Sequence, residues 1–70
     1  MVVIAFEQTH AAMAAQKLLG GMRFDVIPTP KEISAGCGIA LRLRDDLMEQ
    51  AMAALSTDDS IASQCSWHYI

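Results

Sequence analysis

Residues Val2-Val3-Ile4-Ala5-Phe6 form an unbroken apolar run that begins one residue into the chain. It is short and rich in β-branched side chains, which reads as a strand covered on much of both faces. Such a strand is central, and the other elements have to wrap it. In a chain of 70 residues, 53% of them hydrophobic, that leaves a single small domain, residues 1–70. Folding should remove roughly 60% of the surface the open chain exposes, so the core is marginal and has reason to lean on a partner.

The rest of the chain supplies the wrapping. Thr9 is placed to cap a helix in which Ala11, Ala14, Ala15, Leu18 and Leu19 recur at spacings of three and four before Gly20-Gly21 ends it. Phe24, Val26 and Ile27 predict a second strand, stopped by Pro28. Thr29-Pro30-Lys31-Glu32 has the form of a capping box opening one helical turn, released at Gly36. Ile39, Leu41 and Leu43 alternate with Ala40, Arg42 and Arg44, the period of a third strand. Asp45 is placed to cap a second helix, with Leu47, Met48, Ala51, Met52, Ala54 and Leu55 as its apolar stripe. Ser56 to Ser60 reads as a polar loop, and the tail from Gln64 to Ile70 as a last strand with Cys65, Trp67 and Tyr69 on one side. The order strand, helix, strand, strand, helix, strand predicts an α+β, ferredoxin-like βαββαβ fold. Its four-stranded antiparallel sheet would run 4-1-3-2 with two helices on one face.

Several function classes fall away on composition. A net charge of −3 provides no basic patch for a phosphate backbone, so nucleic acid is not expected as a ligand. No apolar run approaches the roughly 20 residues needed to cross a bilayer, and no charged segment precedes the first apolar stretch, so the expectation is a cytoplasmic protein without a membrane partner. Cys37 and Cys65, with His10 and His68 as the only other soft ligands, form neither a disulfide framework nor a recognisable zinc spacing. Paired carboxylates, a phosphate-cradling glycine loop and Ser-His-Asp spacing are absent as well, and neither a metal nor a cofactor is expected.

Gly36-Cys37-Gly38 is the informative motif. Glycines on both sides leave a sulfur unshielded by neighbouring side chains and let backbone N–H groups turn toward an anion, which suits a thiolate, a persulfide or an oxyanion. Equally, the glycines could serve only the turn, with Cys37 a small buried hydrophobe. In the 4-1-3-2 order, the start of strand three lies beside the end of strand one. Cys37 is therefore expected near Thr9 and His10, where the positive end of the helix dipole favours thiolate. His10 is otherwise an ordinary exposed first-turn residue, and Lys31 and Arg42 read as solvated charges. Cys65 falls on the far side of strand one, about two strand spacings or roughly 9 to 10 Å from Cys37, which disfavours a direct disulfide unless the loop bends inward.

Two segments together resemble a known family. Phe6-Glu7-Gln8-Thr9-His10-Ala11-Ala12 and Pro30-Lys31-Glu32-Ile33-Ser34-Ala35-Gly36-Cys37-Gly38-Ile39-Ala40-Leu41-Arg42 are similar to the small selenium/sulfur carrier-like proteins. Members of that family pair a Phe-Glu-x-Thr-His-x-Ala start with a Pro-x-x-x-Ser-Ser-Gly-Cys-Gly-x-Ala-Leu block. Ser34, Gly36, Cys37 and Gly38 match the block, while Ala35 replaces its second serine. The resemblance implies a carrier that holds sulfur or selenium on Cys37 as a persulfide or selenopersulfide. Gly36, Gly38, Ser34, Thr9 and His10 would surround the atom, and a donor enzyme and an acceptor protein would be the partners.

The alternative is a non-catalytic interaction module in which Gly-Cys-Gly is only a turn; a further rival is a thiol redox protein using Cys37 with Cys65. Either way, two helices cover one sheet face only, and strand one is apolar toward both. This predicts a homodimer, or a tight partner complex, through the open face.

Overall fold

A computed structural model describes residues 1–33 and 35–70. The apolar run forms β1 (Val2–Phe6), and the alanine-rich stretch forms α1 (Thr9–Leu18). β2 (Asp25–Pro28) and β3 (Ile39–Leu43) follow; a 3₁₀ turn (Asp45–Leu47) leads into α2 (Met48–Leu55), and a short α3 (Asp59–Ala62) precedes β4 (Cys65–Tyr69). α1 stops where the sequence expects, because Gly21 takes φ +92, a left-handed conformation that side chains rarely adopt.

The strands make one four-stranded antiparallel sheet in the order β2-β3-β1-β4, which from its other edge reads 4-1-3-2. β1 is central, paired with β3 from Val2↔Leu43 to Ala5↔Ala40 and with β4 from Val2↔Tyr69 to Phe6↔Cys65. Pro28 is tolerated because β2 is an edge strand, where the N–H that proline lacks is not needed by a neighbour.

All five residues of β1 are buried, and their side chains divide between two cores. Val2, Ile4 and Phe6 face the helices and pack with Ala11, Ala12, Ala15 and Leu19 of the α1 region and with Ala51, Leu55 and Ile61. Val3 and Ala5 face the other way and pack with Ala40 and Ile33. No helix among the described residues is long and apolar enough to cross a membrane.

Three expectations are corrected. The helical side of the sheet carries a third helix where a polar loop is predicted. Asp58 caps it, its carboxylate accepting from Ser60 N–H at 3.0 Å and Ile61 N–H at 3.4 Å, so that Ile61 reaches the core. Asp45 caps nothing and instead pairs with the N-terminal amine at 3.1 Å. The turn after Pro30 closes with Ile33 N–H on the Pro30 carbonyl at 3.0 Å, but the Thr29 hydroxyl is committed elsewhere, as described below.

The turn has a consequence for assembly. It lays Ile33, only 9% exposed, over Val3, Ala5 and Ala40, which are 0%, 1% and 0% exposed. The second face is thus covered by the chain's own segment, and the apolar ground for a homodimer through an open sheet face is gone. Replacing Ile33 by alanine should reopen that face and cost about 2 kcal/mol, lowering the melting temperature by roughly 10 °C in a domain of this size. Lys31→Ala, on the exposed part of the same turn, should leave it unchanged. Thermal denaturation followed by circular dichroism checks both.

Candidate functional site

The site is built at the carboxyl end of β1. The Phe6 carbonyl accepts the Cys37 N–H at 3.0 Å, just before β3 begins. From the other side Thr29 donates twice: its hydroxyl to the Cys37 carbonyl at 2.9 Å and its N–H to the Gly38 carbonyl at 3.1 Å. The peptide around Cys37 is therefore clamped between the ends of β1 and β2, with both of its backbone polar groups satisfied.

Each flanking glycine has a different explanation. A β-carbon on Gly36 would collide with the Glu7 carbonyl oxygen and lie 3.3 Å from its carbon, so only glycine lets the chain pass so close to the end of β1. Gly38 has open space where a β-carbon would stand, and neither glycine has a positive φ. The sequence reading that both glycines supply backbone freedom is replaced by close approach at Gly36 alone.

The Cys37 side chain points inward and is 3% exposed, packed into the helix-side core with Phe6, Ala11 and Ala12. This corrects the expectation of an unshielded sulfur: glycines remove local cover, but the start of α1 supplies it from a distance. Thr9 is where topology predicts it, and its hydroxyl oxygen lies 3.8 Å from the sulfur, in position to accept the S–H. The Ile39 N–H donates to the same sulfur at 3.4 Å. Thr9 is the first residue of α1 and not its cap; Gln8 takes the cap position, its carbonyl accepting from Ala11 and Ala12. The Thr9 hydroxyl is thus free for the thiol. His10 is not drawn in: it is exposed, faces a surface cavity of about 620 Å³ shared with Met13, Lys17 and Phe24, and no hydrogen bond joins it to Cys37 among the described residues. Ser34 lies outside the described residues. Lys31 is exposed, and Arg42 is paired with Asp25 at 3.0 Å.

Cys65 occupies the other flank of the same strand end. It is registered against Phe6 in the β1–β4 pair, and its thiol donates to the Ala62 carbonyl at 3.3 Å. Burial pushes the Cys65 thiol up from its ordinary pKa, opposed in part by a hydrogen bond from Trp67. Both cysteines are free and stand on opposite sides of β1, an arrangement that gives a Cys37–Cys65 redox couple no support. Thr29 and Glu7 are the residues that sequence reasoning missed. Thr29 has a legible signal, a hydroxyl beside Pro30, but its partner lies eight residues downstream.

The family model described as "Putative Se/S carrier protein-like" matches residues 1–65. No curated protein and no solved structure matches the chain.

Two outcomes follow for measurement. Gly36→Ala should destabilise the domain by about 3 kcal/mol or more, since backbone has to shift to admit the methyl group, whereas Gly38→Ala should be neutral or stabilising by up to about 1 kcal/mol; chemical denaturation separates them. In a Cys37→Ser variant, alkylation of Cys65 should show its midpoint above the value of about 8.5 for a free thiol. Burial favours the neutral form, so the reactive thiolate accumulates only at higher pH; a midpoint at or below that value would contradict the placement.

Proposed function

We propose that this chain, which belongs to the Se/S carrier protein-like family, accepts a sulfur or selenium atom on Cys37 from a donor enzyme and passes it to an acceptor protein. In this reading it is a carrier and not a stand-alone enzyme, built on a ferredoxin-like frame and working in the cytoplasm, where its thiols remain reduced. The observation that carries the reading is the clamped cysteine: both backbone groups of Cys37 are tied down while its sulfur rests against the first turn of α1.

The chemistry suits that position. The Cys37 thiolate attacks the outer sulfur of a donor persulfide; a Cys37 S–S bond forms, the donor S–S bond breaks, and the electron pair leaves on the donor thiolate. In the second step an acceptor thiolate attacks the same outer atom and the Cys37 thiolate departs. Neither step needs an outside oxidant. The Ile39 N–H, 3.4 Å from the sulfur, and the Thr9 hydroxyl, 3.8 Å from it, are the polar groups that stand beside the atom that departs. Selenium follows the same route with a selenopersulfide. Delivery requires the sulfur to come out, and the exposed peptide on both sides of it, Gly36 and Gly38, offers partners an approach without side chains. Bringing Cys37 out requires release of the Thr29 hydroxyl from its carbonyl and of its own N–H from the Phe6 carbonyl at the end of β1.

A second reading is favoured by one observation, the 3% exposure of Cys37: an interaction module in which the cysteine only fills the core. Intact mass after incubation with a small-molecule persulfide separates the two. A carrier gains one sulfur atom, lost again on treatment with a thiol reductant, in the wild type and in Cys65→Ser but not in Cys37→Ser. No adduct on folded wild type, or an adduct that persists in Cys37→Ser, would overturn the carrier reading.

A further inference from the structure

β4 ends the sheet on one side, and the bonds that flank it reveal which of its backbone groups are spare. Glu7 N–H donates to the Gln64 carbonyl at 2.9 Å and Ile70 N–H to the Met1 carbonyl at 3.0 Å. With the register Val3↔His68 and Ala5↔Ser66, the even-numbered residues turn their backbone toward β1. By strand alternation, Cys65, Trp67 and Tyr69 turn their N–H and C=O groups outward. Among the described residues nothing pairs with this edge. Cys65–Tyr69 holds no proline and no lysine, arginine or carboxylate, and its register with β1 runs without a bulge, so it lacks the devices that keep edges single. The opposite edge, β2, has Asp25 and Pro28. Exposed apolar side chains gather where β4 ends: Met1, Tyr69 and Ile70 are 43%, 70% and 63% exposed.

We propose that a second copy of this chain adds its own β4 antiparallel to this edge, about a two-fold axis at Trp67. The strand is matched to itself in that register. Trp67 falls opposite Trp67 of the second copy and Cys65 opposite its Tyr69, so every outward residue enters a pair that exchanges two N–H···O bonds. On the other face Ser66 falls opposite His68, and no two charged side chains are brought together, although each chain carries −3. The Trp67 pair is a favourable aromatic cross-strand contact. The result is one continuous eight-stranded sheet across the two copies. Cys37 lies on the β3 side of β1, away from the seam. A seam of one short strand belongs to the small, transient class of interfaces, so the dimer forms as concentration rises. This inference does not depend on the carrier reading.

Light scattering across a dilution series, joined to amide hydrogen exchange, tests it. The mass should double with concentration, and the amides of Cys65, Trp67 and Tyr69 should gain protection together with it. Tyr69→Pro removes an outward N–H at an exposed position and should restore the monomer mass with the fold intact by circular dichroism. Val26→Pro on β2, also exposed (50%), should leave the dimer in place. If Tyr69→Pro fails to fold, Tyr69→Lys, which charges the edge without altering the backbone, carries the same expectation. A monomer at the highest concentration, leaving the edge to some other protein's strand, would overturn the proposal. So would rapid exchange at the three amides, a dimer that survives the Tyr69 change, or one abolished by Val26→Pro.

Discussion

Burial of β1 on both faces is the constraint on which the rest of the structure depends. A strand with Val2, Ile4 and Phe6 on one side and Val3 and Ala5 on the other, all at most 1% exposed, needs two separate covers. Fully burying each of the valine, isoleucine and phenylalanine side chains contributes about 1.5–3 kcal/mol, which is large beside the net stability of a small domain. The helices supply one cover. The other comes from a single turn carrying Ile33, and that turn sits in the connection between β2 and β3. The same connection delivers Cys37 to the Phe6 carbonyl at the end of β1. Covering the second face and placing the cysteine are thus two results of one path of the chain.

How much of this can be read from the sequence varies with the range of the interaction involved. β1, α1, β3 and β4 are legible because period and composition agree over five or more residues, and the antiparallel α+β layout follows from their order. The third helix is harder, because Asp59–Ala62 has one apolar residue facing the core. Its clearest signal is Asp58 as an N-cap. Thr29 and Asp45 show a different difficulty. Each has the residue type and position of a helix cap, yet each finds a competing partner that no local pattern discloses: the Cys37 carbonyl for Thr29 and the N-terminal amine for Asp45. Cover for the second face is least legible of all, since it rests on Ile33, an isolated apolar residue in a turn.

The site divides along the same line. Proximity of Cys37 to Thr9 follows from strand order and is found, with the hydroxyl 3.8 Å from the sulfur. Burial of the sulfur does not follow, because local glycines say nothing about which remote element packs above them. Here α1 begins directly after β1 turns at Glu7 and Gln8, and its first turn closes over the thiol. His10, one position further along, is carried around the helix to an exposed face. A helical step of about 100° per residue thus separates the hydroxyl that meets the sulfur from the imidazole that does not.

Burial is compatible with carriage, and it gives the position of the second cysteine a meaning. An outer sulfur held in the open is vulnerable to any thiolate that reaches it, and the nearest thiol in the molecule belongs to Cys65. The two residues share one end of the sheet, but the main chain of Phe6 runs between them, accepting from Cys37 on one flank and registered with Cys65 on the other. At about two strand spacings, roughly 9 to 10 Å, the Cys65 sulfur is beyond the reach of direct attack. Burial also raises its pKa and so keeps it in the unreactive thiol form near neutrality. The central strand that organises both cores therefore also separates Cys37 from Cys65, the one other cysteine of the sequence.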